Sequence, residues 1–306
     1  MTKRIWLIME IALALLITSC QTMSREPYPG IEVHNLHERN LYLSRSGKTD
    51  LLIFIDGSGM NSVLGIKNGI SWESVEFPYF VVNNYRDAFD IAIPEKLDFA
   101  FGENCDRNPS KLSNYTVEGL VDGYAQTIDE YLDMNSYNSV TLFGISEGGL
   151  LLPKIYNQLR NRTCIRKLVV WGAGGYSQAD CFRILATSAI PIPREYRKEC
   201  SKIDIAIEDI KTDPHSMTKY YLGWPYNRWS SFFSYEPINE YESIDAPVLF
   251  VQGLDDYSNP AESVRYVKDT YSNKPYKYLF YKMGHVPDSD QEIKKILLDI
   301  GLWIRE

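Results

Sequence analysis

The residue with the clearest chemical potential is a serine held between two glycines. Residues 144–148 read G-x-S-x-G, with Ser146 at the centre. The apolar run 139–143 leads into them, and residues 149–152 begin a helical pattern. A strand, a tight turn and a helix together form a nucleophile elbow, which lifts a serine hydroxyl above the edge of a sheet. We therefore interpret Ser146 as a candidate nucleophile.

A serine hydroxyl is a poor nucleophile at neutral pH unless a neighbouring base takes its proton. The chain has four histidines that could be this base. His34 and His37 precede the first core strand, and His215 lies in a long segment between two strands. His285 follows the last predicted strand, where the catalytic groups of open α/β sheets gather. Elimination therefore favours His285.

The base needs a carboxylate to orient it. In proteins with a nucleophile elbow, the chain order is Ser, then Asp or Glu, then His, so the acid is expected before the histidine. Asp255 and Asp256 both follow the apolar run 248–251 and compete for the role. Adjacent side chains point in different directions, so one can face His285 while the other is solvated or caps a turn. We favour Asp256, which lies three residues after Gly253.

The oxyanion formed in acyl transfer needs two N–H donors. Glu147 follows the nucleophile at a helix start, where its backbone N–H and the helix dipole favour negative charge. The second donor is expected in the loop 56–59, with the N–H of Ser58 first and that of Gly57 next, although an ordinary turn is the alternative. The side chain of Glu147 either binds a substrate amine or is a solvated helix-end residue, and the second interpretation is favoured.

The elements that position these residues follow from apolar runs. These runs predict strands over 40–44, 51–55, 79–82, 139–143, 167–171, 248–251 and 276–280, and helices over 117–131 and 291–304. Such alternation predicts an α/β fold with a mostly parallel sheet and helices on both faces. Residues from about 175 to 245 contain no clear strand and form a candidate cap. Their many aromatic residues indicate either a wall over an acyl or aromatic substrate group or internal packing.

Four motifs in this order give the chain a family resemblance. Residues 56–59, 144–148, 253–256 and 284–285 each follow a predicted strand, and together they resemble the α/β-hydrolases over residues 48 to 305. The resemblance implies Ser146 as nucleophile, Asp256 as acid and His285 as base. Many members have His-Gly at the oxyanion loop where this chain has Asp-Gly. Because the donors are backbone groups, the difference need not impair catalysis.

The N-terminus resembles an export signal. Residues 1–19 are basic and then apolar, with small residues directly before Cys20, which resembles the lipobox of bacterial lipoproteins. This resemblance implies lipidation of Cys20. Residues 20–47 are expected to form a tether and an N-terminal strand region, and residues 48–306 the hydrolase domain. An ordinary signal peptide or an uncleaved anchor is the alternative. With Gln21 next, the expected location is the periplasmic side of the outer membrane in a Gram-negative cell.

Composition limits the partners and the cofactors. A net charge of −8 without a basic run argues against nucleic acid as a partner. Cys105, Cys164, Cys181 and Cys200 allow two disulfides in an exported protein, and we expect Cys181 to pair with Cys200 because both lie in the candidate cap. No Cys-x-x-Cys motif or histidine at ligand spacing from a cysteine is present, so no metal is expected. No organic cofactor is expected either.

The combined prediction is a serine hydrolase that acts on a carboxylic ester or thioester through an acyl-enzyme. A peptidase or aminopeptidase of the same fold is the first alternative, and a ligand-binding surface lipoprotein without turnover is the second. The expected partners are a small-molecule or peptidyl acyl substrate and, through the lipid anchor, a membrane.

Overall fold

The computed structural model describes residues 30–64, 66–67, 70–71, 76–103 and 109–306. The predictions that concern the signal 1–19, lipidation at Cys20 and pairing of Cys105 lie outside the described residues. Among the helices that are described, none is long and apolar enough to cross a membrane.

The centre of the molecule is an eight-stranded sheet. All strands of the described chain, including four outside this sheet, are in chain order β1 (Glu32–Leu36), β2 (Arg39–Ser44), β3 (Asp50–Ile55), β4 (Ile66–Lys67), β5 (Ile70–Ser71), β6 (Asp90–Pro94), β7 (Ser139–Ile145), β8 (Ile165–Trp171), β9 (Tyr220–Tyr221), β10 (Trp224–Pro225), β11 (Val248–Gly253) and β12 (Tyr276–Tyr281). The large sheet has the order β1-β2-β6-β3-β7-β8-β11-β12, while β4–β5 and β9–β10 form separate pairs. In the large sheet, six neighbouring strands run parallel: β6, β3, β7, β8, β11 and β12. The pairs β1–β2 and β2–β6 are antiparallel.

Helices cover both faces of the large sheet. They are α1 (Glu76–Tyr85), α2 (Pro109–Leu112), α3 (Val117–Met134), α4 (Glu147–Gln158), α5 (Gln178–Thr187), α6 (Arg194–Cys200), α7 (Ile203–Thr212), α8 (Tyr226–Ser234), α9 (Ala261–Thr270) and α10 (Asp290–Arg305), with 3₁₀ turns at Arg162–Cys164 and Pro237–Ser243. Alternate strand residues point to opposite faces. Leu142 and Leu168 therefore join one apolar cluster with α3, α4 and α9, whereas Phe143 and Val169 join another with α1 and α10.

Most of the predicted elements are present, but one strand was assigned wrongly. Residues 79–82 lie within the helix α1, where Val81 and Val82 are buried against the sheet. A four-residue apolar run does not distinguish a strand from the buried face of a helix, which explains the error. The strand that pairs with β3 on the side away from β7 is β6, a five-residue segment that is buried throughout and was not predicted.

The segment between β8 and β11 is mostly helical. It contains α5 to α8 and the 3₁₀ turn Pro237–Ser243, together with the short hairpin β9–β10 that the sequence did not indicate. The expected disulfide between Cys181 and Cys200 is wrong, because both are free thiols. The Sγ atom of Cys181 lies 3.4 Å from Oδ1 of Asn259, so its side chain is directed towards the loop after β11.

Candidate active site

Ser146 lies at the turn between β7 and α4. Its backbone angles, φ 54° and ψ −121°, are unfavourable for a residue with a side chain. The backbone N–H of Ser146 donates to the carbonyl of Trp171 at 2.8 Å, and its carbonyl accepts from the N–H of Leu150 at 2.8 Å. These bonds hold the strained turn in place, with the serine between strand and helix as the sequence predicted.

The glycines beside Ser146 allow this turn to pack closely. A Cβ on Gly144 would lie 2.5 Å from the carbonyl oxygen of Gly148, and one on Gly148 would lie 2.3 Å from that of Ile55. Both distances are far below van der Waals contact with backbone atoms, which cannot give way cheaply. The two positions therefore require glycine, and the turn is fixed against β3.

His285 and Asp256 are directly hydrogen-bonded. Nδ1 of His285 lies 2.8 Å from Oδ2 of Asp256, whose side chain is completely buried. The other carboxylate oxygen accepts the backbone N–H groups of Ser258 at 2.7 Å and Asn259 at 2.9 Å. These donors fix the carboxylate while it orients the imidazole. Asp255, the competing candidate, is exposed to solvent.

The ring of His285 lies over a glycine at the end of β8. A Cβ on Gly172 would lie 2.8 Å from Cε1 and 3.1 Å from Nδ1 of His285. Trp171 also donates its Nε1–H to the His285 carbonyl at 3.3 Å. In the described part of the chain, Nε2 of His285 is buried and has no hydrogen-bond partner. Within the described structure, no hydrogen bond therefore joins this nitrogen to Oγ of Ser146.

Ser146 and His285 line the same cavity, which has a volume of about 50 Å³. The full lining comprises Ser58, Ser146, Glu147, Leu150, Gly172, Ala173, Gln178, Cys181, Ser258, Asn259 and His285. Both predicted oxyanion residues, Ser58 and Glu147, thus lie beside the serine. No Phe, Tyr or Trp belongs to this lining, so an aromatic wall over the cavity is not found among the described residues. Several aromatic residues of the candidate cap pack on one another instead, as in the stacked pair Trp229 and Phe233.

The side chain of Glu147 is neither solvated nor free. It is 5% exposed, and its two oxygens accept from the hydroxyl of Tyr115 at 2.6 Å and from Nη2 of Arg228 at 2.5 Å. The favoured interpretation of a solvated helix-end residue is therefore wrong. Because Arg228 already neutralises this carboxylate, the alternative of a site for a substrate amine is not supported. Burial, and then the charge of Glu147, raise the pKa of Tyr115 far above its usual value, so its hydroxyl stays protonated.

The loop that carries Ser58 is supported by buried charges. Asp56 is buried, and its Oδ2 lies 3.6 Å from Nζ of Lys96, which is 1% exposed. Burial raises the pKa of Asp56, and the neighbouring ammonium group opposes that shift. The N–H of Gly59 donates to the hydroxyl of Tyr115 at 3.2 Å. A Cβ on Gly57 would lie 3.1 Å from Cβ of Ser146, so this loop closely approaches the elbow.

The structure adds Tyr115, Lys96 and Arg228 to the residues predicted around the site. No spacing in the sequence indicated them, since they meet the site only in the folded chain. Two of the remaining histidines lie elsewhere, with Nε2 of His34 3.1 Å from Glu32 and Nε2 of His37 3.3 Å from Glu130. Among the described residues, no group of His, Cys, Asp and Glu side chains is arranged to hold a metal ion.

Solved structures of hydrolases share this architecture. Est1E from Butyrivibrio proteoclasticus, with ferulic acid bound, is 15% identical with a TM-score of 0.60, over 90% of this chain and 100% of Est1E. A lipase-esterase related protein from Clostridium acetobutylicum is 16% identical with a TM-score of 0.53, over 88% of this chain and 99% of that protein. An acylaminoacyl peptidase in complex with a chloromethyl ketone is 13% identical with a TM-score of 0.56, over 90% of this chain.

These similarities establish the fold. This chain spans only 41% of the acylaminoacyl peptidase, although it spans the whole of Est1E. No protein-family model matches the sequence, and no curated protein sequence matches it. The chain has the α/β-hydrolase fold, with a mostly parallel sheet and helices on both faces, as predicted. The fold is one that esterases, an enol-lactonase and peptidases share.

Proposed function

We propose that this protein is a serine hydrolase that cleaves carboxylic esters or thioesters of short acyl groups. The observation that carries the proposal is the cavity shared by Ser146 and His285. Ser146, whose backbone is strained, lines this cavity together with the imidazole of His285. Nδ1 of the imidazole is hydrogen-bonded to the buried Asp256, and Nε2 has no hydrogen-bond partner within the described structure. Strain at a polar residue beside an oriented base is typical of a nucleophile.

In the proposed reaction, Oγ of Ser146 attacks the substrate carbonyl while Nε2 of His285 takes the hydroxyl proton. The N–H groups of Ser58 and Glu147 stabilise the oxyanion of the tetrahedral intermediate. The intermediate collapses as His285 returns the proton to the leaving alcohol or thiol. Water, activated by His285, then attacks the acyl-enzyme and regenerates the serine. Asp256 holds the imidazole tautomer throughout and stabilises its charged form.

The cavity volume supports a short acyl group. The cavity of about 50 Å³ is small, so a short acyl group fills most of it. Acetyl to butyryl groups match this size. An ester is favoured over an aminoacyl amide because Glu147, the carboxylate in the cavity lining, is already paired with Arg228 and cannot bind a substrate ammonium group.

A fluorophosphonate probe tests the nucleophile directly. We expect it to label the wild type covalently and to leave Ser146→Ala unlabelled, while Ser258→Ala, which removes another serine from the same cavity, still reacts. Equal labelling of Ser146→Ala and the wild type would refute the assignment. A series of p-nitrophenyl esters from acetate to octanoate should then show rates that fall beyond butyrate, and a preference for aminoacyl anilides would favour the peptidase alternative.

We further propose that Cys20 is lipidated and attaches the protein to the cell envelope, on the periplasmic side of the outer membrane in a Gram-negative cell. The support is the basic and apolar stretch that ends at small residues before this cysteine. Metabolic labelling with an alkyne fatty acid should mark the wild type and not Cys20→Ala. Unchanged labelling, or wild-type protein that fractionates with soluble proteins, would refute the anchor.

A further inference from the structure

A continuous chain of hydrogen bonds joins the candidate cap to both sides of the elbow. It begins at Arg228 in α8, which donates to one oxygen of Glu147 at 2.5 Å. The other oxygen of Glu147 accepts from the hydroxyl of Tyr115 at 2.6 Å. That hydroxyl in turn accepts the backbone N–H of Gly59 at 3.2 Å. The chain therefore ends in the loop that carries Ser58 and passes through the residue directly after Ser146.

The first member of this chain is held rigidly. Arg228 is 2% exposed, and its Cζ lies 4.1 Å from the ring centroid of Phe232, 4.4 Å from that of Trp229 and 4.5 Å from that of Trp224. Within the described residues, its Nε and Nη1 have no hydrogen-bond partner, so Glu147 provides its anionic contact. Aromatic faces attract a cation, which lets them surround the guanidinium without oxygen acceptors on every side.

Tyr115 is held as firmly from a different element. It is completely buried just before α3, and its ring packs on Trp224 with the centroids 4.6 Å apart. Its hydroxyl uses its single proton for Glu147 and a lone pair for Gly59. One atom thus fixes the distance between the loop on one side of the serine and the helix start on the other.

We propose that Tyr115 and Arg228 are positioning residues that set the geometry of the oxyanion hole. The inference rests on the proposed function, in which the N–H groups of Ser58 and Glu147 bind the oxyanion. Such donors are effective only when they are preorganised, because misplaced dipoles must reorient during the reaction. Tyr115 hydrogen-bonds both Gly59, which follows the donor Ser58, and the side chain of the second donor, Glu147. Arg228 in the cap holds the side chain of Glu147.

The first test is Tyr115→Phe, which removes one oxygen atom and keeps the ring on Trp224. We expect kcat for p-nitrophenyl acetate to fall about tenfold to a hundredfold with little change in KM, a smaller loss than removal of an oxyanion donor itself causes. Affinity for a trifluoromethyl ketone, which adds to Ser146 as an anionic hemiketal, should fall by the same factor. Affinity for the parent methyl ketone, which stays a neutral ground-state mimic, should stay within twofold.

The matched control is Tyr276→Phe. Tyr276 is also buried, and its hydroxyl also makes two hydrogen bonds, to the carbonyls of Tyr241 and Ile244 at 3.1 and 3.0 Å, but it lies on the edge strand β12. We expect this variant to keep the kcat and inhibitor affinities of the wild type. If Tyr115→Phe also keeps them, or if both ketones weaken equally, the positioning role is refuted.

The second test addresses Arg228 without leaving a buried charge unpaired. The double variant Glu147→Gln with Arg228→Met exchanges the ion pair for neutral groups of similar size, a change that buried pairs often tolerate. We expect it to fold and to lose kcat and trifluoromethyl ketone affinity as Tyr115→Phe does. A folded double variant with wild-type kcat would refute the role of Arg228.

These outcomes are separable from failure of the proposed function. If the wild type neither reacts with the fluorophosphonate nor hydrolyses any ester, the proposed function itself fails. If the wild type reacts and the Tyr115 and Arg228 variants match it, only the positioning inference fails.

Discussion

Gly172 offers a direct test of how closely the imidazole must be placed. In Gly172→Ala the new Cβ would lie 2.8 Å from Cε1 of His285, so the ring must move by about 0.6 Å to reach ordinary contact at 3.4 Å. The displaced atoms are part of the ring whose Nδ1 bonds Asp256 at 2.8 Å. Because a misplacement of about 1 Å can cost roughly a hundredfold in rate, we expect kcat/KM to fall between about tenfold and a hundredfold.

The same substitution also strains the backbone, and this effect needs its own control. Gly172 has φ +63°, where a side chain costs about 1–2 kcal/mol. Gly47 has φ +70°, and a Cβ there would meet nothing within 4 Å. Gly47→Ala should therefore lose a similar free energy of unfolding in urea denaturation and keep its ester hydrolysis.

The assay compares kcat/KM for p-nitrophenyl acetate with urea stability in the two variants. We expect similar stability losses and a rate loss in Gly172→Ala alone. If Gly172→Ala hydrolyses the ester within about threefold of Gly47→Ala, the contact between the ring and this glycine does not control catalysis. The reasoning would then be refuted for His285, whatever the nucleophile.

Three further predictions test other parts of the structure. Asp256→Asn should lower kcat about a thousandfold or more by losing the tautomer of His285, whereas exposed Asp255→Asn should retain it. Burial raises the pKa of Glu95 from 4.5 to about 7, so the folded state favours the protonated carboxyl and loses stability as the pH rises through this range. In urea denaturation, the free energy of unfolding of the wild type, taken relative to that of Glu95→Gln, should fall by about 3 kcal/mol between pH 4.5 and pH 7. Leu150→Ala removes a side chain from the cavity lining, and it should shift the preferred p-nitrophenyl ester towards longer acyl chains at a stability cost of about 2–3 kcal/mol.

Each of these expectations has a contradicting result. Equal losses in the two aspartate variants would mean that the contact with His285 is not the cause. A pH-independent stability difference at Glu95 would mean that the carboxyl ionises normally in the fold. An unchanged chain-length preference in Leu150→Ala would place the acyl group outside the cavity.

The sequence was sufficient for features that local order determines. The elbow around Ser146 follows the buried strand β7, which its apolar run identifies, and the loop that carries His285 follows the edge strand β12. The parallel order of the sheet then brings the strand ends to one edge, where Asp256 meets His285. The assignment of residues 79–82 failed because apolar residues in succession also fit the buried face of a short helix.

The sequence was insufficient for contacts between distant parts of the chain. Glu147 and Arg228 are 81 residues apart, and Glu147 and Tyr115 are 32 apart, so no periodicity relates them. The position of a carboxylate at a helix start suggested solvation, whereas the cap covers it and supplies a cation. The cysteine pairing failed for the same reason, since membership of one segment does not determine which way Cys181 points.

The buried pair of Glu147 and Arg228 limits how this enzyme scaffold can be rebuilt. Here a transplanted cap without an equivalent of Arg228 would leave a carboxylate uncompensated inside the core, at a cost of about 3–5 kcal/mol. Any successful chimera must therefore exchange Glu147 together with the cap, so the start of α4 and the cap have to be designed as one unit.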